Sequence, residues 1–304
     1  MMPPVYLELY RTGELDERIA RLHGILESCV LCPRQCRKNR LAGETGYCRS
    51  GAEMVVSAVH PHFGEEDVLV GLGGSGTIFF AGCNLLCFYC QNYEISFFRE
   101  GRVLSPTDLA RAMIELERMG CHNINLVTPT HYVPQIIRSL KPAIEGGLSV
   151  PLVYNCGGYE SVGTLRLLEG VVDIYMPDIK YGDESAATRY SNATDYFDRC
   201  REAVKEMHRQ VGNLVVDERG IARRGLLVRH LVLPNEQAGS ESVFRFIAEE
   251  ISRETYVNIM FQYRPLFRAA EFEELNRRPT AAEYRAAIRL ARKFGLHRGF
   301  EGCR

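Results

Sequence analysis

Cys83, Cys87 and Cys90 lie in the stretch TIFFAGCNLLCFYCQN, residues 77–92, spaced C-x3-C-x2-C. Three thiolates this close can cap three irons of one cubane cluster, and soft sulfur ligands suit iron–sulfur clusters or zinc. No fourth cysteine is local. One iron would therefore keep an open position, which implies chemistry rather than storage. The spacing also departs from the C-x2-C pairs usual for zinc. A second set, Cys29, Cys32, Cys36 and Cys48, is spaced C-x2-C-x3-C-x11-C, with Pro33, Gly43 and Gly46 shaping the turns. Four thiolates make a closed site with a structural role first, holding either zinc or a second [4Fe-4S] cluster; spacing does not choose between them.

The elements that must position these residues can be read in order. Residues 14–28 form an amphipathic helix, with Leu15, Ile19, Leu22 and Leu26 near one face. Residues 51–76 read as a Gly-rich connector, and His60 and His62 as loop residues. Its Gly71-x-Gly73-x-x-Gly76 precedes a strand, whereas a dinucleotide-binding glycine motif follows one and opens a helix. These glycines are read instead as a tight entry into the first strand. The apolar run 77–82 is that strand, with Gly82 marking the turn into the cysteine loop. Further strands are expected at 123–129, 151–156, 171–180, 225–234 and 256–265. Helices are expected at 105–120, 132–145, 161–169, 183–211 (interrupted near Ser191–Thr194), 240–253 and 280–295. Six strand–helix units in series argue for an α/β fold, a parallel sheet with helices outside it. Six are too few for a complete eight-stranded barrel.

Composition narrows the class. The chain has 304 residues, 46% hydrophobic and 25% charged, with a net charge of −1. A sizeable core is affordable, and no basic block favours nucleic acid. No apolar run reaches membrane-spanning length, and the start lacks the features of a signal peptide. Eleven cysteines gathered largely in metal-type clusters fit a reducing cytoplasm better than a disulfide scaffold. Of the rest, Cys121 and Cys200 read as packing residues and Cys303 as an exposed tail residue. Cys156, at a strand end facing the presumed site, reads first as buried and without a role.

In parallel α/β folds ligands lie at the carboxyl ends of the strands. This sequence places polar residues there: Asn125, Thr128 and His131 toward the end of the second strand, and Asn155 and Cys156 at the end of the third. Asp178 and Lys180 end the fourth strand. Arg229 and His230 lie on the fifth, where alternation lets at most one of the two face the site.

The three-cysteine loop after a strand and a glycine, with Tyr89 before the last cysteine, resembles the signature of the radical SAM superfamily. The resemblance implies a partial (β/α)6 barrel over residues 73–304, preceded at 1–72 by the four-cysteine module and connector. It implies that the open iron of a [4Fe-4S] cluster binds S-adenosylmethionine. Asp178 suits the ammonium of that molecule and Lys180 its carboxylate, with Thr128, Asn155 and Arg229 as further contacts. The segments CVLCPRQC, GETGYC, HFGEE, MPDIKY, VRHLVLPN and QYRP extend the likeness to pyruvate formate-lyase activating enzymes. NLVTPTH departs from the Gly-Gly-Glu often found at the second strand, so Thr128, Pro129 and Thr130 would serve through backbone carbonyls. The likeness implies an electron donor such as flavodoxin or ferredoxin, and a protein or peptide substrate, such as a glycine of a glycyl-radical enzyme. Radical modification of another peptide or small molecule stays open. So do a two-cluster electron carrier and a zinc-stabilised binding protein.

Overall fold

A computed structural model of the chain describes residues 2–300, so Cys303 lies outside the described residues. The strands are β1 Met54–His62, β2 Ser75–Phe80, β3 Arg102–Leu104, β4 Ile124–Val127, β5 Leu152–Cys156, β6 Ile174–Pro177, β7 Val215–Val216, β8 Ala222–Leu231 and β9 Tyr256–Met260. The α-helices are α1 Tyr6–Thr12, α2 Glu14–Gly24, α3 Asp67–Val70, α4 Tyr93–Ser96, α5 Pro106–Arg118 and α6 Val133–Glu145. They continue with α7 Val162–Leu167, α8 Glu184–Ser191, α9 Tyr196–Val211, α10 Ser240–Phe246 and α11 Ala281–Lys293.

The six expected strands, β2, β4, β5, β6, β8 and β9, are all parallel and lie side by side in chain order. Helices follow them as the sequence signals require. Ser105 caps α5 in a reciprocal box with Asp108, and Thr280 does the same with Glu283 for α11. The long helix breaks at Asn192, which takes a left-handed φ of 48° between α8 and α9. Among the described residues, no helix is long and apolar enough to cross a membrane.

The connector reading of residues 51–76 is corrected. Met54–His62 is a strand, β1, antiparallel to β2 and to β3. His60 and His62 are therefore strand residues, packed around Phe79. The glycines after α3 serve close approach: a Cβ on Gly73 would stand 2.0 Å from the carbonyl oxygen of Gly120. The short strands β3 and β7 were also unforeseen.

The sheet has two unlike faces. Ile78, Leu126, Tyr154, Tyr175, Val228 and Ile259 join the helices in the large apolar core. Alternate residues, Val153, Ile174, Met176 and Leu227, turn the other way and pack on Leu69 of α3. Higher on that second face stand Asn155 and Arg229, and we call it the polar face. It is concave by necessity. Glu66 follows His62 by four residues, yet its Oε1 accepts a hydrogen bond from Asn258 of β9. Four extended residues span at most about 14 Å. In a flat sheet, the six strand spacings from β1 to β9 would be about 29 Å. Curling brings β9 back toward β1 and encloses the polar face.

Candidate active site

The three-cysteine loop leaves the carboxyl end of β2 through Gly82. Its φ is 89°, and a Cβ there would meet the Cys48 carbonyl oxygen at 2.8 Å and Ser50 Oγ at 2.9 Å. Only glycine permits that approach. Cys87 is buried, while Cys83 and Cys90 are half-buried. Leu85 N donates to Cys83 Sγ at 3.4 Å, and Cys90 Sγ lies 3.1 Å from Ser96 Oγ. Burial pushes the Cys83 thiol up to about 12, and its neighbours Cys87 and Cys90 add to the effect. Among the described residues, no group of three or more His, Cys, Asp or Glu already stands in a metal-ligating arrangement. The donor set nonetheless fits a [4Fe-4S] cluster: three soft thiols share one loop, and the mutual repulsion of their thiolates is what a cationic centre would relieve.

Beside this loop runs a network of charges at the strand ends. Lys180 Nζ donates to Asp178 Oδ2 at 2.6 Å, and Arg229 Nε donates to Asp178 Oδ1 at 2.7 Å. Arg229 Nη2 reaches Asn155 Oδ1 on β5 at 2.8 Å, and its Nη1 reaches Glu65 Oε2 at 3.1 Å. Burial works to lower Lys180, but Asp178 and then Cys87 hold it well above the usual lysine range. Cys87 is thus close enough for its charge to bear on Lys180, which ties the network to the cysteine loop. Burial pushes Glu65 up to about 7; Arg229 opposes this and the adjacent Glu66 reinforces it.

Thr128 closes β4 with a φ of 58°. A β-branched residue in the left-handed region is strained, and such strain clusters at functional sites. Its N–H donates to Asn155 O at 2.8 Å, which joins it to the same rim.

The N-terminal cysteines form one neighbourhood. Cys29 and Cys48 are buried, and Cys32 and Cys36 half-buried. Burial raises Cys29 and Cys32; Cys36 adds to the first, and Cys48 to the second. A Cβ on Gly46 would fall 2.3 Å from Cys36 Sγ, so the turn is closed tightly over that thiol. Arg34 fastens this segment to the site. Its Nε donates to Asn84 O and its Nη2 to Ser191 O, both at 3.0 Å, with its guanidinium 3.8 Å from the Tyr47 ring. On the other flank, buried Arg40 donates to His131 O at 2.6 Å, and His131 Nε2 donates to Ala81 O at 2.8 Å. Burial lowers His131 to about 3, so the ring is neutral and braces the loop.

Of the expected site residues, Asp178, Lys180, Asn155 and Arg229 converge, and Thr128 borders them. Arg229 faces the polar side, whereas His230 turns outward against Phe244. Cys156 does not face the site: it packs in the helix-side core, as do Cys121 and Cys200. Sequence reasoning missed Glu65, Glu66 and Asn258. The paired glutamates of HFGEE were visible, but Arg229, 164 residues away, was not readable as the partner of Glu65.

Comparison with known proteins supplies the family. The model of the radical SAM superfamily matches residues 77–221. Over 300 residues the chain is 34% identical to the uncharacterized protein MJ0674 of Methanocaldococcus jannaschii, covering 95% of this chain and 82% of that one. It is 24% identical to the uncharacterized protein MJ0808 of the same organism over 304 residues, covering 90% of this chain and 79% of that one. With the three-cysteine loop at the carboxyl end of the first parallel strand, and with the matched domain running from that strand through β4, β5 and β6, the chain belongs to the radical SAM superfamily.

Proposed function

We propose that this protein cleaves S-adenosylmethionine reductively and abstracts a hydrogen atom from a substrate held on the polar face of a partial (β/α)6 barrel. The observation that carries the reading is the placement of Lys180, bridged by Asp178 to Arg229, beside the loop of Cys83, Cys87 and Cys90. Those cysteines would hold a [4Fe-4S] cluster. When bound, it supplies the electron that splits S-adenosylmethionine into methionine and a 5′-deoxyadenosyl radical, the hydrogen-abstracting species.

The chain's own residues bind, orient and exclude water. Lys180 offers an ammonium to a carboxylate, with Asp178 fixing its position. Asp178 already holds two cations, so it serves here as an organiser of Lys180 and Arg229 as well as an acceptor for an ammonium. Thr128 and Asn155 offer backbone and amide groups at the rim. Tyr89 meets Tyr181 and Tyr263 edge-on, and the three buried rings wall the loop from solvent. The N-terminal cysteines would hold zinc or a second cluster, and Arg34 and Arg40 fasten that segment beside the first loop. A flavodoxin or ferredoxin would supply the electron.

For the substrate, the likeness to pyruvate formate-lyase activating enzymes supports a backbone glycine of a partner protein. The enclosed charges on the polar face favour a second reading, a small polar molecule. Anaerobic incubation with S-adenosylmethionine and each substrate class, followed by mass spectrometry for deuterium moved from substrate into 5′-deoxyadenosine, separates the two. Transfer from neither would overturn both substrate assignments.

A further inference from the structure

Two buried side chains on or beside the polar face have polar atoms without a partner in the protein. Asn125 of β4 is fully buried, and neither its Oδ1 nor its Nδ2 is hydrogen-bonded. Glu66 Oε2 is buried and equally unpartnered. Asn125 lies between Ile124 and Leu126, which face the helix-side core, so its amide points to the opposite side. The same side satisfies an asparagine where the role is structural: Asn123, two residues earlier, accepts from Ser75 Oγ at 2.7 Å and donates to Leu69 O at 2.8 Å. A buried amide left without partners is the signature of a missing ligand or water.

The electrostatics select the ligand. Glu65, Glu66 and Asp178 face Arg229 and Lys180, and with Glu65 raised to about 7 the cluster carries no net positive charge that would call for an anion. Arg229 has each of its nitrogens engaged, by Asp178, Glu65 and Asn155. With Lys180 assigned to the carboxylate of S-adenosylmethionine, the free capacity is an acceptor on Glu66 and a donor–acceptor pair on Asn125. An anion would find a donor at Asn125 but would face the Glu66 carboxylate.

We propose that the polar face below the three-cysteine loop seats the substrate, and that the substrate is a small molecule presenting a primary ammonium or guanidinium to Glu66 and a neutral hydrogen-bonding group to Asn125. This deepens the radical-enzyme reading and rests on it for the reaction, but its test is a binding measurement. The full chain, reconstituted anaerobically, is titrated calorimetrically with ω-amino amides of three to six carbons, with the matching amides lacking the amine, with the matching carboxylates, and separately with S-adenosylmethionine. The best amino amide binds at least tenfold more tightly than its uncharged counterpart, and the carboxylates do not bind. Glu66→Gln and Asn125→Leu each weaken the amino amide at least tenfold and leave S-adenosylmethionine within twofold of wild type. Asn125→Leu also raises the thermal midpoint of the ligand-free protein, because it removes a buried amide that bonds nothing. Equal binding of charged and uncharged probes, no binding of any amine, or a lowered midpoint in Asn125→Leu would overturn the proposal. Loss of S-adenosylmethionine binding in either variant would also overturn it, by assigning these residues to the cosubstrate. Failure of the wild type to bind S-adenosylmethionine would instead sink the radical reading beneath it.

Discussion

Asp178→Asn tests the charge network most sharply. The side chains of Asp178, Lys180 and Arg229 are 14%, 18% and 14% exposed, so solvent screens them little. Asparagine keeps one acceptor oxygen but turns an NH2 toward one of the two cations. At least one charge-assisted hydrogen bond, about 1.5–3 kcal/mol, becomes a donor facing a donor. Removing one partner from a buried ion pair costs about 3–5 kcal/mol. The first figure sets the floor and the second the expected loss, about 3–5 kcal/mol. For a chain of this size that lowers the melting temperature by about 6–15 °C, read by scanning calorimetry. The pH dependence has a definite sign. Burial pushes the Asp178 carboxyl up, but Arg229 and Lys180 outweigh it and hold the group below its usual value. Its stabilising share is therefore complete above the unfolded value of about 4 and is lost only as pH falls through the lower folded value. The Asp178 carboxyl itself adds no pH dependence to the gap between pH 8 and pH 5; Glu65, raised to about 7 in part by Asp178, is raised less in the variant, so the gap should widen as pH falls through that window. A drop under 2 °C, or a gap that narrows as pH falls from 8 to 5, would refute the reasoning.

Other consequences follow from the braces around the loop. His131, lowered to about 3 by burial, refuses a proton that the unfolded chain accepts near 6.5. Wild type should lose stability relative to His131→Gln as pH falls from about 6.5 toward 3, by on the order of 1.4 kcal/mol per pH unit, in paired chemical denaturations. The variant comparison is needed because burial raises Glu160 and Asp173 to about 7, and they shift stability in the opposite sense. Gly82→Ala places a Cβ 2.8 Å from the Cys48 carbonyl oxygen at a φ of 89°. It should cost about 1–3 kcal/mol and lower the iron content after reconstitution; an unchanged melting temperature would contradict the packing described. Cys32→Ser should remove the metal of the N-terminal set while sparing that of the Cys83 loop. Elemental analysis then reports a selective loss of either zinc or iron, and no change in either would empty that site of its metal role.

The six parallel strands were legible because each is a short apolar run bounded by turn residues and spaced by helical patterns. The order of the sheet followed from that series. What hid β1 was its far end. His60, Pro61 and His62 look like loop, although Met54 and Val56 carry an alternating core pattern. The four-residue Glu66–Leu69 stretch has no periodicity to detect, and it is set by tertiary contacts beneath the curled sheet. The cysteine loops were readable because thiol spacing is local chemistry. Asp178 and Lys180 were readable as strand-end charges two residues apart. Arg229 was readable only as one of two alternatives, since a strand residue declares its face only once its neighbours are placed. Cys156 was misplaced by the same uncertainty: one residue of register separates the polar face from the helix-side core.

The central claim is radical cleavage of S-adenosylmethionine at Cys83, Cys87 and Cys90. Its most direct test is anaerobic reconstitution with iron and sulfide, reduction by dithionite, addition of S-adenosylmethionine and chromatography for 5′-deoxyadenosine, with Cys87→Ala alongside. The account predicts 5′-deoxyadenosine from wild type and none from the variant. No product, together with a cluster whose electron paramagnetic resonance spectrum does not change on adding S-adenosylmethionine, would contradict it and leave an electron carrier as the better description.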